Sequence, residues 1–231
     1  MGIVRTTLAL AGYGSLAAAG SFIALTRKCR LQDVPPSDHI FNTTLFARYN
    51  PNNAPVTQDV CLRRVPLASI RPELLEAEKK GEGKLVEAFC QGVWGGIGFA
   101  YQRRYLEKKY RGPETATQVW DTAALRTSSY PVGTQITDHF EVMSKNSNSI
   151  IVRCGDSPRN KDVRASDGLF EMLAEIKEET GEVEFGLKSV FYSGTSVPDA
   201  YSKEPMSPTI KWLHQQYDKV LMESAVRNCT K

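Results

Sequence analysis

Three features of the 231-residue chain predict an α+β fold: a curved antiparallel sheet packed around a long C-terminal helix, with one transmembrane helix ahead of it. Thr6 to Thr26 is a run of 21 residues without a charge. Between Val132 and Phe191 the apolar residues recur with period two, the signature of strands. From Thr209 to Asn228 they recur on one helical face, through Ile210, Leu213, Tyr217, Val220 and Leu221. An antiparallel sheet wrapped on a terminal helix buries both amphipathic faces at once.

The uncharged run has the length that a bilayer core demands, about 20 residues at 1.5 Å each. Gly12, Gly14, Gly20 and several hydroxyl residues dilute it. A cleaved signal peptide, with Ala17-Ala18-Ala19-Gly20 as its small-residue site, and a mitochondrial-type presequence are the competing readings. The further apolar residues before Arg27 favour an anchor. Arg27, Lys28 and Arg30 outweigh Arg5, so the C-terminal domain is expected on the cytosolic side of a single-pass protein. The sequons at Asn42 and Asn228 would be usable only on the lumenal side, and the Met-Gly start that loosely fits a myristoylation pattern is set aside beside a spanning segment.

Residues 1–30 are therefore read as the anchor, 31–55 as a linker rich in Pro, Asn and Asp, and 56–231 as the folded domain. Phe41, Leu45 and Phe46 of the linker are apolar enough to pack on that domain. The first strand spans Val56–Leu67, and a helix starts near Pro72, where Glu73 and Glu76 suit its positive end. Leu85, Phe89, Val93 and Ile97 form one helical face, yet Gly92, Gly95, Gly96 and Gly98 lie within it. Each glycine costs up to about 1 kcal/mol in a helix interior, which implies close packing or a break between two helices. Ile136, Asp138, Phe140 and Val142 share one strand face. Strands over Ser149–Cys154, Leu169–Glu178 and Val183–Phe191 complete a meander with one wet face.

Net charge is +3, with much of the excess in the first thirty residues, so no domain-wide basic surface invites nucleic acid. Five widely spaced cysteines form no CxxC pair, and His39, His139 and His214 have no HxH or HxxxH spacing. Neither a disulfide framework nor a metal centre is indicated, the thiols are expected mostly reduced, and no cofactor is implied.

The layout from residue 56 to 228 resembles the helix-grip fold of the START and polyketide-cyclase superfamily. More narrowly, Gly-Val-Trp-Gly-Gly at 92–96, Thr-Asp-His-Phe-Glu-Val at 137–142, Ile-Val-Arg-Cys-Gly-Asp-Ser-Pro at 151–158 and Leu-His-Gln-Gln-Tyr at 213–217 resemble a group of fungal membrane-anchored proteins without an assigned function. The superfamily resemblance implies an apolar ligand held between sheet and C-terminal helix, and for some members cyclisation or hydrolysis there.

On the residues themselves, Asp138 is the first catalytic candidate. A carboxylate on an apolar face is desolvated, which raises its pKa toward general acid–base use. The competing reading puts it at a strand end, bonded to an amide or an arginine. His214 and Tyr217, one turn apart, are the other catalytic candidates, with core packing around a satisfied imidazole as the alternative. Tyr101, Arg153, Asp156, Phe140 and Phe185 are the ligand-binding candidates, Arg153 and Asp156 as a clamp at the pocket mouth or else as an ordinary salt bridge. His139 is expected on the opposite face in a structural role, Arg103 and Arg104 with Tyr101 as groups to meet an anionic substrate or else as an exposed basic helix face, and Cys90 and Cys154 as weak nucleophile candidates.

Two functions follow as expectations. One is a cofactor-independent cyclase, isomerase or hydrolase acting on an apolar oxygenated substrate, such as a polyketide of fungal secondary metabolism. The other is a membrane-tethered lipid or sterol carrier. An interaction scaffold with a filled core stands third.

Overall fold

Period-two patterning and helical stripes resolve, in the computed structural model, into seven strands and six α-helices over the described residues 20–231. The strands are β1 (Arg30–Gln32), β2 (Thr57–Pro66), β3 (Gln135–Ile136), β4 (Phe140–Lys145), β5 (Ser149–Gly155), β6 (Asp167–Lys177) and β7 (Glu182–Tyr192). The helices are α1 (Thr44–Tyr49), α2 (Pro72–Lys79), α3 (Lys84–Gly95), α4 (Ile97–Tyr110), α5 (Thr122–Thr127) and α6 (Pro208–Cys229). Residues 20–26 are also helical. Most of the transmembrane segment expected from the sequence lies outside the described residues. Among those described, no helix is long and apolar enough to cross a membrane.

All seven strands join one curved antiparallel sheet in the order β1-β2-β7-β6-β5-β4-β3. With α6 packed on it, the arrangement is compatible with a helix grip. Alternation sorts the side chains by face. Cys61, Val65, Phe170, Met172, Phe185 and Leu187 point inward to a core shared with α3 and α6. Val60, Ile151, Leu169, Val190 and Tyr192 point outward.

The outer face is not left wet. Val34, Ile40, Phe46 and Tyr49 from the segment 31–55 cover it and form a second apolar cluster. The expected linker is thus a strap, built from part of β1, a 3-10 turn at His39–Asn42 and α1. Asp38 and Thr43 cap its two short helices by accepting from Ile40 N and Phe46 N. The expected packing of Phe41, Leu45 and Phe46 is met here.

Both outcomes implied by the glycine-rich stretch occur. Gly96 is extended and separates α3 from α4. At Gly92 a Cβ would lie 2.6 Å from the Ala225 Cα, so α3 and α6 touch backbone to backbone. This contact seats α3 inside the concave sheet, where Phe89 meets Phe185 at 4.8 Å between ring centroids.

The strand expected through Asp138 is broken. Ile136 pairs with Phe140, and the chain between them turns with Thr137 at φ 50° and Asp138 at φ 53°. Left-handed backbone is unfavourable for most side chains but tolerated by Asp. Asp138 therefore leaves the face that Ile136 and Val142 occupy.

Candidate active site

The inward positions of β2 run Thr57, Asp59, Cys61, so one carboxylate is carried into the interior beneath α6. Its cross-strand neighbour on β7 is Ser189. From α6, His214 and Asp218 lie one turn apart on the helix face that meets this part of the sheet. His214 Nε2 is 3.0 Å from Asp218 Oδ2 and 3.6 Å from Asp59 Oδ1. Both carboxylates are 1% exposed, whereas the imidazole is 16% exposed. Phe191 closes one side of the ring edge-on at 5.0 Å.

Polar groups in this cluster are close but poorly satisfied. Both Asp59 oxygens, Ser189 Oγ, His214 Nε2 and Asp218 Oδ2 are buried without an aligned hydrogen bond. Such groups normally find partners, and each exception needs a reason. Burial pushes the His214 pKa down, but ion pairing with Asp218 and Asp59 outweighs it and raises the value to about 10. Burial raises the Asp218 carboxyl to about 6, against the pull of His214. The geometry is an imidazole held between two buried carboxyl groups, and the upward shift of His214 favours its protonated form. Its three donors, within 4.8 Å of one another, would also be close enough for a single cation. A protonated imidazole would itself supply a positive charge at that point.

Beyond His214 the surface is apolar. Tyr217 Oη donates to Gln102 Oε1 at 2.9 Å, and Gly98 abuts Leu221, so α4 and α6 run antiparallel in contact. That register puts Tyr105 level with Leu213 and His214. Tyr101, Tyr105, Ile210 and Leu213 are all exposed along these two helices. Inward from the cluster, Phe170 pairs across the sheet with Ser189 and packs on Trp94, whose Nε1 is itself buried without a partner.

Asp138 sits elsewhere. Four strand steps separate β2 from β4, about 19 Å along the sheet. Gln118, Ser157 and Arg159 all donate to the Asp138 carboxylate. Burial pushes its pKa up, yet these bonds win and hold it below the usual carboxylate range. The raised pKa expected on an apolar face is therefore corrected: a turn aims the group at an arginine. His139 beside it donates from Nδ1 to the Asp138 carbonyl and packs against Tyr110 in a tilted arrangement, with ring centroids 5.0 Å apart.

The expected ligand clamp also falls apart. Arg153 is on the outer face, bonded to Asp167 through two nitrogens and lying 3.5 Å over the Tyr49 ring. Asp156 is exposed and accepts from Ser166 N. Phe140 stacks on Trp94 at 4.6 Å, while Phe185 is fully buried against Phe89. Burial raises the thiol pKa values of Cys90 and Cys154, the latter to about 12, which disfavours thiolate chemistry. All five cysteines are free.

The structure thus brings His214 and Tyr217 to one place, and adds Asp59 and Asp218. Two signals in the sequence mark the added pair: a carboxylate at an inward strand position, and an acid four residues after a histidine on a helix. The chain matches no family model, no curated protein and no solved structure. Its chemistry has to be read from these side chains.

Proposed function

We propose that the chain is a small-molecule enzyme, a cyclase, isomerase or hydrolase, in which His214 acts as a general acid toward an apolar oxygenated substrate such as a polyketide. The observation that carries this reading is the partly exposed imidazole between two buried carboxylates. At neutral pH such a ring keeps both protons. Asp218 and Asp59 hold the Nε2–H edge and act as positioning residues, while the other edge, Nδ1–H, makes no hydrogen bond among the described residues. A substrate carbonyl lying on the apolar α4–α6 surface would meet that N–H as negative charge develops on its oxygen. Aimed N–H groups that stabilise such charge, and positioned acids that transfer the proton, each accelerate reactions by about 100-fold or more.

The test incubates the full-length chain with a fungal apolar-metabolite extract and follows conversion by mass spectrometry. His214→Gln should lower any conversion by about 100-fold or more while the fold persists. Conversion at the wild-type rate would remove His214 from the chemistry. Loss of conversion on adding a chelator would instead place a cation between the three donors.

The exposed apolar rows on α4 and α6 favour a second reading, a membrane-tethered lipid or sterol carrier. A lipid that co-purifies and is returned unchanged by both wild type and His214→Gln would support carriage.

A further inference from the structure

A second feature lies at the opposite edge of the sheet from Asp138. The helical residues 20–26, β1, the β2 edge, α3 and the last turns of α6 enclose an open groove of about 1770 Å³. Its charge is lopsided: eight basic side chains line it against three acidic ones. Arg63 is paired with Glu223 and Arg64 with Glu184. The other six, Arg27, Lys28, Arg30, Arg126, Arg227 and Lys231, make no ion pair among the described residues, and residues 1–19 contain no acid to provide one. These six cations come from three separate places in the sequence, so the fold, and no single basic run, assembles the patch. Phe22 and Leu25 line the same groove, and Leu25 is well exposed.

We propose that this groove binds the headgroup of an anionic phospholipid, with the phosphate against the unpaired cations and the upper acyl carbons against Phe22 and Leu25. Charge complementarity selects an anion, and the apolar side chains beside the cations select an amphiphile over a nucleic acid. The bilayer is the source, since the helical residues 20–26 are the end of the uncharged run from Thr6. The proposal rests on that run being membrane-inserted, and is independent of the chemistry at His214.

The experiment places the full-length chain in nanodiscs of phosphatidylcholine doped with phosphatidylserine and releases it for native mass spectrometry. Wild type should retain phosphatidylserine well above its share of the bilayer. Arg227→Glu with Lys231→Glu, both outside the anchor sequence and apart from the His214 cluster, should lower that enrichment by about tenfold or more. Arg227→Gln with Lys231→Gln gives a milder loss in the same direction and guards against misfolding of the reversed pair. Retention in bulk proportion, or unchanged enrichment in both variants, would overturn the proposal. Displacement of the lipid by inorganic phosphate would overturn it in favour of a free-phosphate site. Failure of the chain to stay with the nanodisc would instead refute the anchor.

Discussion

Each face of the sheet carries one histidine with two carboxylates, in two different settings. On the outer face Asp38, His39 and Glu171 come together, and on the inner face Asp59, His214 and Asp218 do so. The outer trio is closed by Lys188, whose ammonium lies 2.7 Å from Asp38 and 2.8 Å from Glu171, while Ser149 Oγ donates to Glu171 as well. His39 is left largely exposed at its edge. Among the described residues no lysine joins the inner trio, which leaves its histidine as the counter-charge. Composition alone does not separate a structural network from a reactive one. The surplus of partners in the first and the shortage in the second do.

Removing Lys188 should have the largest effect. Lys188→Met strands the fully buried Glu171 with Asp38, and uncompensated buried charge of this kind costs about 3–5 kcal/mol. Urea unfolding measures it, and a loss below about 1 kcal/mol would show that the outer network is not closed by Lys188.

The pH dependence of stability comes next. His214 binds its proton more tightly in the folded chain than in the unfolded one. Its stabilisation is therefore fully present below about pH 6.5 and is lost as pH climbs toward about 10. The raised carboxyl of Asp218 works at lower pH, its cost building between its ordinary value and about 6. Thermal midpoints between pH 6.5 and 10 should fall more steeply for wild type than for His214→Gln. Parallel curves would mean that the imidazole is not held as a cation.

Asp138→Asn should cost about 1 kcal/mol through weakened charge-assisted bonds to Arg159 and Ser157, with turnover unchanged. Lost turnover with intact folding would return Asp138 to the chemistry. Smallest of all, Asp59→Asn should change stability by less than about 1 kcal/mol, because it has no aligned hydrogen bond to lose and the nearer Asp218 remains to pair with His214. A large loss there would make the inner cluster as structural as the outer one.

Much of the sheet was legible in the sequence. The strands over 149–155, 167–177 and 182–192 and the helix from Pro208 follow their apolar periods because one face of each packs on a continuous core. The turn at Thr137 and Asp138 was not legible, since both residues continue the alternation while their backbone leaves it. The strap was hidden for a different reason. Its Pro and Asn content describes local turns, whereas its order comes from burying Ile40, Phe46 and Tyr49 on a sheet that is distant in sequence. Of the site, His214 and Tyr217 could be found on one helix. Asp59 required the knowledge that β2 lies beneath α6, a contact across more than 150 residues.

The strap also changes what kind of tether the proposed anchor would make. A free linker over residues 31–55 would let the domain roam about 25–30 Å from its attachment. Because β1 is already hydrogen-bonded to β2 at Arg30, only residues 27–29 separate the helical residues 20–26 from the sheet edge. That is a reach of at most about 11 Å. With the run from Thr6 to Thr26 in a bilayer, the domain would stand at a set height and attitude, like a bracket on a wall. On the proposed enzyme reading, substrates would then be met in the plane of the membrane, on one side of the molecule, and from a direction the fold has already chosen.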